Sequence, residues 1–506
     1  MLSTIQSATL RGIDGSRVTV EVHVSNGLPG FTVVGLPDAA VRESRDRVRA
    51  AVLSSNLSWP LRRVTVNLAP SGVRKGGAGL DLPIAIGLLV ASGAVPAAAV
   101  DGMAFLGELG LDGSVREIPG TLALVAAMQS EQVVVPSGSA VEAALVDGRM
   151  VHAVSSLCEA VDALCGRRPW PPHPEPEPQG SAPPAPDLAE VRGQALGRRA
   201  AEVSAAGGHH LLLVGPPGSG KTMIATRIPG LLPPLELSDS LQVSRVYSAA
   251  GVLPDNNSLL PERPPFRAPH HSASVVSLVG GGGVTTLRPG ELSLAHGGVL
   301  FLDELGEFPM AVLDMLRQPL EEGVVRISRA RETATMPARV LLVAAMNPCP
   351  CGEGSTSGAC SCGPNARARY VRRLSGPLLD RFDLAVSLDR PDPGELLHGK
   401  SAEASQAVAR RVLEVRELAA QRGVRCNAEL SDSALREVAP LIGEAETLLE
   451  RRLRSGVLSA RGLDRVRRVA RTIADLAGRQ LLEAEHVAEA LQLRAARSAL
   501  LPGDPR

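Results

Sequence analysis

The spacing of apolar positions divides the chain into stretches of different character. Over residues 1–166, the runs Val18 to Val24 and Arg63 to Leu68 alternate apolar with polar and predict strands buried on one face. Ala39 to Ser54 and Leu82 to Ala91 instead carry helical spacing, so the stretch predicts one α+β domain. An uncharged segment from Leu82 to Val100 is long enough to raise a membrane span, but Pro83, Ser92, Gly93 and Pro96 interrupt it, which predicts a buried helix followed by a loop. Residues 167–187 predict no regular element: Pro169 to Pro186 holds nine prolines in eighteen positions and should form an extended interdomain linker. From residue 188 to 394 the pattern becomes α/β. The apolar strand His209 to Val214 leads into a glycine loop and a helix, and the strands Gly298 to Leu302 and Val340 to Ala345 follow. Residues 395–506 read as a small helical domain with polar breaks near Gly423 and Gly456.

Composition narrows this picture. A length of 506 residues allows two to four domains. With 2% aromatics, the cores must be built from Leu, Val, Ile and Ala. The 53 basic residues balance 53 acidic ones, which excludes a bulk polybasic nucleic-acid binder but not a local basic channel. Only Lys75, Lys221 and Lys400 among those basic residues are lysines, so each lysine invites a question. The opening MLSTIQSATLRGID lacks a basic region followed by an apolar run, so no secretory signal and a cytoplasmic location are expected. Seven cysteines argue against a disulfide framework, and four of them lie within fourteen positions, which points to metal.

The chemistry-bearing strings begin with Gly215-Pro216-Pro217-Gly218-Ser219-Gly220-Lys221-Thr222, which fits the phosphate-loop pattern in its required strand–loop–helix context. Its glycines let backbone N–H groups point at phosphate oxygens, Lys221 supplies a compact positive charge, and Thr222 offers a hydroxyl to Mg²⁺. About eighty residues later, four apolar residues deliver Asp303 and Glu304, one for the Mg²⁺ side and one to orient and deprotonate an attacking water. Asn347 ends the next strand, where it can hold that water. Arg381, in Leu378-Leu-Asp-Arg-Phe-Asp383, can neutralise developing charge, a group often supplied by a neighbouring subunit.

These strings, with FRAPHHSAS (Phe266 to Ser274), PGELSLAHGGVLFLDEL (Pro289 to Leu305), AAMNPCPCG and SGPLLDRFD, resemble the magnesium-chelatase-like AAA+ ATPases, and within them the ComM/YifB family. GLPGFTVVGLPDAAVRES (Gly27 to Ser44) and NLAPSGVRKGGAGLDLPIA (Asn67 to Ala85) are similar to that family's amino-terminal Lon-protease-like domain, of the ribosomal S5 domain 2-like fold. The resemblance implies ATP and Mg²⁺ as cofactors, Lys221 and Thr222 as the Walker A pair, Asp303 and Glu304 as the Walker B pair, and Asn347 as sensor 1. It further implies Arg381 as an arginine finger acting in trans within a homohexamer, Arg461 as the sensor 2 arginine of a helical lid, and ATP-driven branch migration of DNA.

Three further features bear on function. Val324 to Arg331 is similar to the pore hairpin of MCM helicases, whose basic tip touches DNA, so Arg326, Arg329 and Arg331 are candidate contacts for branched or single-stranded DNA without sequence preference, and Gly280 to Gly283 is a second segment expected near the pore. Cys349, Cys351, Cys360 and Cys362 suit a closed tetrahedral Zn²⁺ site. In the Lon-like stretch, glycine or alanine stands where a nucleophilic serine is expected, and no lysine follows Lys75 there, so a Ser–Lys peptidase is not expected; Lys75 beside glycines is a candidate phosphate contact. His270-His271 has no acidic partner at ligand spacing and is expected to be structural or a subunit contact. The nine arginines between Arg451 and Arg479 are expected to serve ATP, DNA or a neighbouring acidic surface, or to be solvated. A chelatase motor remodelling a protein partner, an ATP-dependent protease and a regulatory ring are the rival readings.

Overall fold

The computed structural model describes residues 1–498 except 73–74, 173–184, 254–259, 283–286, 330–331, 354–359, 375, 399–401, 442 and 457. Most of the expected linker, Gly283, Arg331 and Lys400 therefore lie outside the described residues.

The first sheet has seven strands, β1 (Leu2–Arg11), β2 (Asp14–Ser25), β3 (Gly30–Val34), β4 (Arg63–Ala69), β5 (Met103–Phe105), β6 (Gln132–Pro136) and β7 (Met150–Val154), in the order β3-β4-β2-β1-β5-β6-β7. β1, β2 and β4 are antiparallel neighbours, and the remaining pairs are parallel. Alternation places Val18, Val20, Val22 and Val24 inward from β2, facing helices α1 (Ala39–Ser54) and α2 (Asp81–Ala91). Asp38 caps α1 by accepting from Val41 N–H at 2.9 Å. All eleven residues of α2 are buried, which explains its uniform apolarity: the helix is enclosed, with each Leu or Ile contributing about 2 kcal/mol. Among the described residues no helix is long and apolar enough to cross a membrane. Helix α3 (Thr121–Ala127) closes this part of the chain.

The second sheet is parallel throughout. It contains β8 (Leu211–Val214), β9 (Phe266–Arg267), β10 (Val299–Leu302), the later β13 (Leu341–Met346) and β14 (Leu384–Ser387), ordered β9-β10-β13-β8-β14. β8, β10 and β13 are buried along their full length, as strands covered on both faces must be. Helices α4 (Ala195–Gly207), α5 (Lys221–Ala225), α6 (Leu237–Ala250) and α7 (Pro364–Arg372) surround them. Between β10 and β13, strands β11 (Val324–Arg329) and β12 (Glu332–Pro337) form an antiparallel hairpin. Helices α8 (Ser405–Gln421), α9 (Glu444–Arg454), α10 (Ala460–Leu476) and α11 (Ala484–Gln492) pack onto the same core through Val412, Leu449, Val466 and Val487.

The two sheets meet directly. Ile13, in the β1–β2 turn, is buried with Val246, Ala334 and Met336. Arg245 on α6 pairs with Asp14 at 2.8 Å, and Gly120 N–H donates to Ser248 O at 3.0 Å.

Candidate functional site

Because the strands of the second sheet run parallel, the ends of β8, β10 and β13 open onto one edge, where a doubly wound sheet places its ligands. β13 lies between the other two, with Met346 opposite Val214 and Ala344 opposite Leu302. The residue after each strand therefore arrives at a common point. The loop from Gly215 to Gly220 turns there into α5; at Gly220 φ is +83°, a left-handed conformation that side chains resist.

Lys221 is buried and its ammonium donates to Gly215 O (2.7 Å) and Pro216 O (2.8 Å), with Asn347 Oδ1 at 3.3 Å. Burial lowers its pKa, opposed by the charges of Asp303 and Glu304. Thr222 Oγ1 donates to Asp303 Oδ2 at 2.9 Å, so hydroxyl and carboxylate stand together as hard oxygen donors that fit Mg²⁺. Glu304 is left-handed (φ +52°), and its N–H donates to Asp303 Oδ1 at 2.9 Å. Lys221, Thr222, Asp303, Glu304 and Asn347 are thus brought together.

Arg381 and Arg461 are not joined to this group by any hydrogen bond or ion pair among the described residues. Arg381 pairs with Glu321 at 2.6 Å, and Arg461 is exposed in the first turn of α10. The last residue of the DRFD string has a different duty. Asp383 is buried, accepts from Arg465 of α10 at 2.6 Å and faces His209 at 3.7 Å. Burial alone would raise its pKa, but His209 and Arg465 hold it well below the usual carboxylate range.

His271 corrects an expectation. Its Nδ1 lies 3.0 Å from Glu304 Oε2, an acidic partner that arrives through the fold from a residue 33 positions away and carries no local signal. Lys75 is also corrected: it is buried with its ammonium on Pro70 O, and burial lowers its pKa, so it does not face outward toward a phosphate. The arginine surplus of residues 451–479 is largely spent internally. Besides Arg465, Arg467 donates to Leu435 O and Ala439 O, Arg468 pairs with Asp432, and Arg471 is buried against Asp475 at 2.9 Å. On the hairpin, Arg326 is exposed but ion-paired to Glu322, and the register sets Arg329 opposite Glu332.

The sulfur atoms of Cys349, Cys351, Cys360 and Cys362 all lie within 4.8 Å of one another, with Cys349–Cys351 at 3.3 Å and Cys360 at 3.6 Å from both. Thiolates about 2.3 Å from a tetrahedral Zn²⁺ would be separated by a little under 4 Å, so the donors fit the metal. The N–H of Glu353 lowers the Cys351 pKa to about 6, and that of Cys362 lowers Cys360, which favours thiolates. The cluster adjoins the nucleotide loop: a Cβ at Gly352 would meet Pro217 at 2.7 Å.

Comparison with known proteins follows this geometry. The model described as magnesium chelatase, subunit ChlI matches residues 187–396, that of its carboxy-terminal region matches 402–494, and a further ChlI-subunit model matches 20–139. YifB of Escherichia coli K12 is 41% identical over 505 residues, covering 98% of this chain and 97% of YifB. The competence protein ComM of Haemophilus influenzae is 42% identical over 501 residues, 98% and 97% of the two chains. The DNA replication licensing factor MCM4 of Arabidopsis thaliana is 27% identical over 241 residues, 45% of this chain and 24% of MCM4. Near-complete coverage at this identity, on a parallel sheet whose strand ends gather the phosphate-loop and acidic residues, shows that the chain belongs to the ComM/YifB family of magnesium-chelatase-like AAA+ proteins.

Proposed function

We propose that the chain is an Mg²⁺-dependent ATP hydrolase that works as a cytoplasmic homohexameric ring on DNA, with ComM-like branch migration as its output. The convergence of Lys221, Thr222, Asp303, Glu304 and Asn347 at one sheet edge carries this reading. In it, the backbone N–H groups of residues 215–220 cradle the phosphates, and Lys221 exchanges its two loop carbonyls for phosphate oxygens. Mg²⁺ bound at Thr222 and Asp303 supplies charge neutralisation of those oxygens. Asn347 orients the lytic water and Glu304 takes its proton. Arg381, detached from its own chain's site, serves the site of a neighbour, and Arg461 reads the nucleotide from the lid.

Residues 1–166 are a Lon-like domain without peptidase function, joined through 167–187 to the ATPase core (188–394) and the lid (395–506). The names of ComM and MCM4 support DNA as the substrate, with the hairpin of Arg326, Arg329 and Arg331 facing it. The four cysteines hold a structural Zn²⁺. A second reading, a chelatase-type motor remodelling a protein partner, is favoured by the description of the matching family models. Hydrolysis by purified chain, with and without branched or single-stranded DNA and beside Glu304→Gln, separates the two. DNA stimulation and a branch-migration product support the first; absence of both overturns it.

A further inference from the structure

Among the described residues the Glu304 carboxylate meets one partner. Nδ1 of His271 lies 3.0 Å from Oε2. The carboxylate is more than half exposed, so without an anchor its end would sample several rotamers. Its other end is already fixed, because the left-handed backbone at Glu304 is pinned by N–H donation to Asp303. His271 is itself held. The His270 ring lies over it with centroids 4.0 Å apart, and His270 Nδ1 is 2.8 Å from Ser272 Oγ. The loop carrying the pair leaves β9, the strand beside β10, which delivers Glu304.

We infer that His271 is a positioning residue for hydrolysis: its Nδ1–H holds Oε2 of Glu304 and leaves Oε1 to accept a proton from the attacking water. This rests on Glu304 being the base. The water oxygen bonds to the γ-phosphorus, the bond to the β,γ-bridging oxygen breaks, and the proton goes to Oε1. His271 keeps its proton throughout. An ionised carboxylate only accepts hydrogen bonds, so the contact requires the Nδ1–H tautomer or the protonated ring.

The test uses the full chain with His271→Ala, His271→Asn, His271→Gln and Glu304→Gln, measuring ATP turnover, nucleotide binding and melting temperature. An asparagine amide places N–H where Nδ1 stands; a glutamine amide places it near the position of Nε2. His271→Ala should lose roughly 10- to 100-fold in kcat with unchanged KM, nucleotide binding and melting. His271→Asn should recover most of the rate and His271→Gln should not. A wild-type or faster rate in His271→Ala, or an asparagine variant no better than the glutamine one, overturns the inference while Glu304→Gln remains inactive. Should His271→Ala fail to fold, the Asn–Gln comparison still decides. Undiminished turnover in Glu304→Gln is the separate result that removes Glu304 as the base.

Discussion

Two imidazoles at the start of β13 make the fold sensitive to mild acid. His210 Nδ1 accepts the Leu342 N–H at 3.1 Å, and His296 Nδ1 accepts the Arg339 N–H at 3.1 Å. Both must be unprotonated at Nδ1 to accept. Burial pushes each from 6.5 down to about 4. Between those values the unfolded chain binds protons that the folded chain refuses, so stability present above pH 6.5 is lost as pH falls toward 4. Working the linkage through these values gives a loss of about 2 kcal/mol per histidine between pH 7 and 5, about 4 for the pair. That is a large part of a typical folding free energy of roughly 5–15 kcal/mol. The assay is denaturant unfolding across this pH range, with amide exchange at Arg339 and Leu342 as the local readout. His210→Asn/His296→Asn keeps an acceptor near each Nδ1 and removes the titration, so it should start less stable at pH 7 but vary far less with pH. A wild-type chain whose stability is level from pH 7 to 5, or a double variant that keeps the full acid loss, refutes the reasoning.

Other substitutions probe the site and its supports. Arg381→Ala should abolish hydrolysis with ATP binding intact; equal loss of both in nucleotide titrations would remove its trans role. Cys349→Ser/Cys351→Ser should lower zinc from about one ion per chain to none by metal analysis, and a wild-type protein purified without zinc would exclude the site. Asp383→Ala leaves Arg465 and His209 without their buried acceptor and should destabilise the chain by about 3 kcal/mol in urea unfolding, whereas a change below about 1 kcal/mol would show that the lid contact is dispensable.

Several elements were legible because their patterns are local. Ala39 to Ser54 is helical over the expected residues, and the strands ending at Val214 and Leu302 finish where apolar runs give way to glycine or acid. β13 runs one residue further than expected, to Met346. β9 and β14 were not foreseen: one is two residues long and the other four, too short for a period to declare itself. Contacts across the fold were equally hidden. His271 meets Glu304 only because β9 lies beside β10, and the outward-looking arginines of α10 become structural only when Asp383, Asp432 and backbone carbonyls arrive from elsewhere. Charge counting along a helix cannot distinguish a free cation from one already committed.

The seating of Ile13 bears on how this chain can be cut. Its side chain fills an apolar socket made by Val246, Ala334 and Met336, and Gly12 lies against the same Ala334. Removing the first 166 residues would open that socket to water at the root of the β11–β12 hairpin. A truncated ATPase core would then carry a sticky face beside the very hairpin assigned to DNA. Its aggregation, or its retention on unrelated surfaces, could be mistaken for substrate binding.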